Sequence, residues 1–130
     1  MHIDTVFSKV KTLGMGPDAK KEREMNEAID RVIEAANADY DRFMPAVNGV
    51  TNEIAERFKN GWEVKVGKKY IKLINRNSVW GFIVNTDDDV KFRKGDILKP
   101  ASWAAPARNA ARGNVLDGGY TVNWTGPLYL

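Results

Sequence analysis

The sequence of 130 residues has no cysteine and a single histidine, His2, and both facts narrow its chemistry. Without cysteine there are no disulfides, no zinc–thiolate sites and no thiol nucleophiles. His2 lies at a terminus that we expect to fray, so Cys–His and Ser–His nucleophile systems are excluded too. Long apolar runs are also missing, since none approaches the roughly 18 residues that a membrane span needs. The first residues are too polar for a signal peptide, which predicts a cytosolic protein.

The carboxylates of the second half also show no pattern typical of a catalytic or metal-binding site. Glu63, Asp96 and Asp117 have no spacing that would pair them, and the two aspartates each adjoin a glycine, as turn residues do. The triplet 87–89 lacks the alternating ligands and the bidentate glutamate of a calcium loop, so we interpret it as a solvated hairpin tip. No phosphate-binding glycine loop occurs. The sequence therefore predicts a non-enzymatic protein with no metal ion and no cofactor.

Charge and aromatic residues are distributed unevenly along the chain. Residues 1–60 carry 9 Lys and Arg against 11 Asp and Glu, whereas residues 61–130 carry 11 against 6. All four tryptophans also lie in the second part: Trp62, Trp80, Trp103 and Trp124. This asymmetry predicts a helical scaffold or oligomerisation segment over 1–60 and a basic, aromatic-rich β module over 61–130.

The first part has helical periodicity. A short helix is predicted from about Asp4 to Gly14, a long one from Asp18 to Met44, ending near Pro45, and a third over about 51–60. The long helix has no Gly or Pro, and its apolar residues recur at spacings of three and four: Met25, Ile29, Val32, Ala36, Tyr40 and Phe43. Either the shorter helices cover this stripe or a second copy does, and we expect a homo-oligomer through the N-terminal helices.

The second part has the short alternating runs of β-strands. Two short strands are predicted in "WEVKVGKKYIKLIN", residues 62–75, on either side of a turn at Gly67-Lys68. A third is predicted in "SVWGFIVN", residues 78–85, with a bulge or close backbone approach at Gly81. "VKFRKGDIL" predicts two more short strands around Gly95-Asp96, and Val122 and Trp124 fall on one face of a last strand. The fold class is therefore α+β: N-terminal helices followed by a small antiparallel β-barrel or bent sheet of about five strands.

The stretch "KPASWAAPARNAARGN", residues 99–114, contains no acidic residue. We predict an ordered loop between strands that binds a ligand, because arginine forks suit phosphate and a tryptophan offers a stacking surface. In a helical turn, Arg108 and Arg112 would share one face. The alternative is a packed loop whose tryptophan fills the core while its arginines are solvated or salt-bridged. The predicted ligand-binding residues are Lys99, Trp103, Arg108, Asn109, Arg112 and Asn114.

Several motifs of the second half occur together in one order: "KKYIKLI", "SVWGFIV", "FRKGDILKPASWAAPARNAARGN" and "YTVNWTGPLYL". On these motifs the run from about Gly67 to Leu130 resembles a family of small tailed-bacteriophage proteins without an established activity. The resemblance does not cover residues 1–60. It implies expression in the cytoplasm of an infected bacterium, and it implies no mechanism.

Three classes of function remain open after these observations. A non-enzymatic phage protein could bind a small anionic, nucleotide-like ligand, for instance sequestering a nucleotide-derived immune signal of the host. The basic β module could instead bind nucleic acid during infection. The chain could also be a structural or host-protein-binding phage component that uses its helices as the interface. We favour the first class, because a basic pocket with an aromatic surface is sufficient for it.

Overall fold

A computed structural model describes residues 19–43 and 52–127, which form two helices and six short strands. Helix α1 spans Ala19–Phe43 and α2 spans Asn52–Asn60. The strands are β1 (Trp62–Val66), β2 (Tyr70–Asn75), β3 (Ser78–Val84), β4 (Ile97–Leu98), β5 (Val122–Asn123) and β6 (Gly126–Pro127). The fold is α+β, as predicted. The helix predicted near the N-terminus and the helix end at Pro45 lie outside the described residues.

Helix α1 forms because 25 residues without Gly or Pro carry one continuous apolar stripe. Five of the six predicted stripe residues are buried: Met25, Ile29, Val32, Ala36 and Tyr40. The sixth, Phe43, is 58% exposed at the helix end, where its ring lies 6.4 Å from that of Trp124. The stripe packs on the chain's own strands, so an oligomer through the helices would need another helix face. That oligomer stays a prediction.

The main sheet is antiparallel throughout, with strand order β1-β2-β3-β4. Its register places residues in rows across the strands that alternate between the two faces. The row Val66, Ile71, Ile83 and Ile97 belongs to the face that packs on α1, and the next row, Lys65, Lys72, Phe82 and Leu98, belongs to the outer face. One face of the sheet therefore completes the core, and the other is partly charged.

Gly81 lies where β3 departs from regular pairing. Leu73 pairs with Gly81 but Ile74 pairs with Val79, so that Trp80 is an extra residue in β3. A side chain at Gly81 would place its Cβ 3.1 Å from Pro127 Cγ and 3.2 Å from the Leu98 carbonyl oxygen. Both predictions for this glycine, a bulge and a close backbone approach, are confirmed.

Of the two alternatives predicted for the β module, a closed barrel is not formed: over the described residues the main sheet is open, and β5 and β6 form a separate two-stranded sheet. One predicted strand differs from the structure. The strand predicted around Val90–Lys94 is a turn instead. The Asp89 carboxylate accepts hydrogen bonds from the backbone N–H groups of Lys91 and Phe92, and this local closure replaces strand pairing.

Helices and strands share one core although they occupy separate parts of the sequence. Helix α2 ends at Asn60 and β1 begins at Trp62. The Phe58 ring stacks on Tyr40 at 4.4 Å and meets Trp62 and Trp124 edge-on at 5.7 Å each.

The residues of 19–43 and 52–127 include no helix that is both long and apolar enough to cross a membrane.

Candidate ligand-binding groove

Residues 99–114, hereafter the long loop, fold back along β4. The backbone N–H of Ala107 donates to the Lys99 carbonyl at 2.7 Å, and that of Arg112 donates to the Ile97 carbonyl at 2.8 Å. Pro100 and Pro106 form an isolated bridge. The loop is ordered, as predicted, but residues 106–112 do not form the helical turn in which Arg108 and Arg112 would share one face. The N–H groups of Ala107 and Arg112 bond to the start of the loop and to β4 rather than to carbonyls four residues back.

Arg108 attaches the long loop to the rest of the outer face. Its guanidinium binds the Asp89 carboxylate through two hydrogen bonds of 2.9 Å and donates to the Tyr70 hydroxyl at 2.6 Å. The same guanidinium lies 4.9 Å from the centre of the Phe92 ring. The Arg108 hydrogen bonds, followed by the two backbone N–H donors, hold the pKa of Asp89 well below its usual range, and Asp89 raises the pKa of Arg108. Arg108 is therefore engaged within the protein.

Three of the other predicted site residues also make contacts within the loop region. Asn109 accepts a hydrogen bond from Arg112, which also donates to the Ala110 carbonyl. Lys99 is half-buried and donates from Nζ to the Pro127 carbonyl at 2.8 Å. Burial lowers the pKa of Lys99, and the charge of Arg112 lowers it further.

Asn114 is buried, and both ends of its side-chain amide are occupied. Nδ2 donates to the Lys94 carbonyl and to Asp96 Oδ1, while Oδ1 accepts from the backbone N–H groups of Leu116 and Asp117. This residue closes the end of the long loop against the turn before β4. The Asn114 side chain is therefore engaged within the fold and does not face a ligand.

Trp103 is the one tryptophan of the four that lies on the surface. Its side chain is 53% exposed, whereas Trp62 and Trp80 are buried in the core and Trp124 packs against it. Lys72 Nζ lies 4.5 Å from the Trp103 ring centre and 5.9 Å from that of Phe82. Trp103 therefore does not fill the core, and its ring faces the β1–β2 hairpin.

Between that hairpin and the long loop lies a groove of about 340 Å³. Its walls combine lysines of the hairpin with apolar and aromatic residues: Lys65, Val66, Gly67, Lys68, Lys69, Tyr70, Lys72, Phe82 and Ala104. Sheet register explains part of the arrangement, because Lys65, Lys72 and Phe82 occupy one row of the outer face. We call this site the basic groove. Trp103 is adjacent to it through Lys72 and Ala104, and Arg108 supports it through Tyr70.

The charge of the basic groove is largely uncompensated. None of its lining residues is acidic. Lys65 Nζ lies 3.9 Å from Glu63, and both side chains are more than half exposed, so water screens that pair. Within residues 19–43 and 52–127, the ammonium groups of Lys68 and Lys69 have no acidic partner within 4 Å. The groove is consequently a surface on which an anion can replace water.

Sequence reasoning overlooked the lysines of this groove. The signal was present in "KVGKKYIK", residues 65–72, where four lysines occur in eight residues around a glycine turn. Strand alternation across that turn also places Lys65 and Lys72 on one face. The predicted long loop supplies Trp103, but its Arg108 is already paired with Asp89 and Tyr70.

Neither a second cavity nor the remaining carboxylates of the described residues have the single-sign charge of the basic groove or the arrangement of a metal site. A larger cavity of about 510 Å³ between α1 and the turn at 87–94 has both signs of charge among its lining residues, including Glu24, Asp87, Arg93 and Lys94. The part of the chain that the structure describes contains no group of His, Asp and Glu side chains arranged to hold a metal ion. Asp117 pairs with Arg93, and Asp96 accepts from the Arg93 backbone N–H and from Asn114.

The chain belongs to DUF7717, a family of unknown function, whose model matches residues 15–130. The match extends over both described helices as well as the strands, further than the resemblance found in the second half of the sequence. No curated protein and no solved structure matches the chain.

Proposed function

We propose that this protein is a non-enzymatic binding protein that holds a small anionic, nucleotide-like ligand in the basic groove. The observation that carries the proposal is the uncompensated lysine cluster of the hairpin beside an exposed tryptophan. The groove volume of about 340 Å³ lies at the lower end of the range of small-molecule sites.

The lysines supply the anion-binding half of this site. Lys68 and Lys69 lie at the hairpin turn, and Lys65 and Lys72 follow on neighbouring strands, so the positive charges surround one opening. Ammonium groups on flexible stems bind phosphate as point charges and need little rearrangement of the backbone. A phosphate group at the turn would gain two charge-assisted contacts without breaking an ion pair of Lys68 or Lys69 with another described residue.

Trp103 supplies the half that would select a nucleotide over inorganic phosphate. Its indole is half exposed, and the Lys72 ammonium lies over it at 4.5 Å. A nucleobase stacked on this ring would gain about 1–3 kcal/mol. Lys72 would then turn from the ring towards the phosphate that the base carries.

The biological setting that we propose rests on the sequence resemblance alone. In a tailed bacteriophage, such a protein would act in the cytoplasm of the infected bacterium and would sequester a nucleotide-derived immune signal. Sequestration would require tight binding and no chemical step.

A thermal-shift screen of mono-, di- and cyclic nucleotides, with inorganic phosphate and pyrophosphate alongside, tests the proposal. We expect one nucleotide class to raise the melting temperature as its concentration rises above its Kd, with inorganic phosphate giving a smaller shift. Titration calorimetry would then measure the affinity of the variant Lys68→Gln/Lys69→Gln, for which we expect a loss of at least about tenfold.

The matched control is Lys20→Gln/Lys21→Gln, which removes the same charge from two adjacent exposed lysines of α1. If both double variants bind equally well, the basic groove is not the site. If no nucleotide shifts the melt, the proposed ligand class is wrong. A gel-shift measurement on short single-stranded DNA and RNA at two salt concentrations tests the alternative, because steeply salt-dependent binding would indicate a nucleic-acid partner.

A further inference from the structure

Strand β1 is an edge of the main sheet, and along it runs a row of backbone groups that no other part of residues 19–43 and 52–127 pairs with. It pairs with β2 on one side only. The N–H of Gly67 donates to the Tyr70 carbonyl and that of Arg76 donates to the Gly61 carbonyl, which fixes the phase of the ladder. Antiparallel alternation then directs the backbone groups of Glu63 and Lys65 towards β2. Those of Trp62, Val64 and Val66 point away from the sheet, and no other described segment bonds to them.

The side chains of the same strand are complementary to themselves under a two-fold rotation. Placing β1 antiparallel to a second β1 with Val64 at the centre sets Glu63 opposite Lys65 of the second copy, and Lys65 opposite its Glu63. Both side chains are more than half exposed and lie on the outer face. Trp62 comes opposite Val66, whose side chain is 55% exposed in one copy. Exposed edges normally carry charges that repel such pairing, whereas this edge carries one of each sign.

Backbone and side chains favour the same register. With Val64 at the centre, the residues whose backbone groups are free become the hydrogen-bonded pairs: Val64 with Val64, and Trp62 with Val66 in both directions. Glu63 and Lys65 then form the non-hydrogen-bonded pairs, in which the side chains approach most closely. Moving the two-fold axis by one residue, to Glu63 or Lys65, would place backbone groups that already face β2 at the centre and would set two like charges opposite each other.

We propose that two copies of this chain pair through β1 about a two-fold axis at Val64. The two four-stranded sheets then form one continuous sheet. Since the axis is perpendicular to the sheet, both outer faces lie on the same side, and the two basic grooves open in the same direction. This interface does not rest on the proposed ligand.

Sedimentation equilibrium of the unliganded chain, with the variants Glu63→Lys and Lys65→Glu, tests the interface. Each single reversal sets like charges opposite each other twice, and we expect the dimer Kd to rise by about tenfold or more. The double variant Glu63→Lys/Lys65→Glu restores opposite charges and should recover most of the affinity. Recovery by the double reversal is not expected from an interface elsewhere.

A second variant tests the backbone. Val66→Pro removes the N–H that would donate to Trp62 of the second copy, and an edge strand tolerates proline where its N–H faces solvent. Val66→Ala is the matched control, because it keeps the N–H. We expect the proline variant to be a folded monomer by circular dichroism and the alanine variant to remain a dimer. A chain that is monomeric at every concentration, or a dimer that none of these variants weakens, would overturn the proposal.

Discussion

The long loop and the β1–β2 hairpin are both rich in cations, but they use them in opposite ways. Arg108 in the loop binds Asp89 and Tyr70, and Lys99 donates to the Pro127 carbonyl. In the hairpin, Lys68 and Lys69 have no such partner among the described residues. A count of positive charge treats the two segments alike, whereas the contacts of these cations differ: those of the loop bind other parts of the fold, and Lys68 and Lys69 remain exposed to solvent.

The difference follows from how each segment satisfies its backbone. The hairpin is held by the ladder between β1 and β2, so its side chains are not needed to fix it. The long loop has few regular backbone pairs over its sixteen residues, 99–114. Side-chain bonds to distant residues must then compensate for the entropy lost on ordering it. Arg108 makes such bonds, and its charge is paired with Asp89 within the fold.

The largest effect that we expect is on stability, from Arg108→Gln in the long loop. The change removes the bidentate contact with Asp89, whose side chain is only 10% exposed, and it leaves that carboxylate without its cation. We expect the melting temperature to fall by several degrees, while nucleotide affinity falls less than in Lys68→Gln/Lys69→Gln. Thermal unfolding and titration calorimetry on both variants measure the contrast.

Arg93→Gln is the matched control for that measurement, since Arg93 pairs with Asp117 where both side chains are more than half exposed. Such surface pairs contribute little, and the melting temperature should hardly change. An Arg108→Gln variant that melts like wild type but no longer binds the ligand would reverse the comparison and make Arg108 a ligand contact.

A smaller effect, on binding alone, is expected at Trp103, where the two segments meet. Trp103→Ala should lower nucleotide affinity by about tenfold, the loss of one stacked base. The melting temperature should remain close to that of wild type, because the ring is half exposed. Trp103→Phe keeps a flat surface and should retain most of the affinity by calorimetry. Equal binding by the wild type and the alanine variant would remove Trp103 from the site.

Much of the fold could be predicted because its signals are local. The spacing of Met25, Ile29 and Val32 defines the buried face of α1, and alternating residues define β1 to β3. Gly81 marked a bulge because few residues tolerate that close approach. The segment 90–94 also alternates, but Asp89 closes it into a turn through its carboxylate. Periodicity alone does not distinguish these two outcomes.

The candidate site was harder to predict because whether a charged side chain already has a partner depends on residues far away in the sequence. Arg108 is paired with Tyr70, 38 residues earlier in the chain, and with Asp89, 19 residues earlier. Neither spacing follows from a local rule, so the arginine appeared available from the sequence. The hairpin lysines were visible as "KVGKKYIK", but only the structure showed that they surround one groove next to Trp103.

The smallest effect that we expect is the pH dependence of the contact between Arg108 and Asp89, which the hairpin lysines should not share. The pKa of Asp89 in the folded chain lies well below its ordinary value of about 3.9. The ionised carboxylate therefore adds stability above pH 4, and this contribution is lost as the pH falls from about 4 towards the folded pKa.

In Asp89→Asn the side-chain oxygen can still accept from Lys91 and Phe92, but it carries no charge for Arg108. We expect the difference in melting temperature between wild type and Asp89→Asn to be constant from pH 8 to 5 and to shrink below pH 4. Lys68→Gln/Lys69→Gln should follow the wild-type curve in parallel across that range. A gap between wild type and Asp89→Asn that persists undiminished at pH 2 would mean that the charge of Asp89 does not hold the long loop.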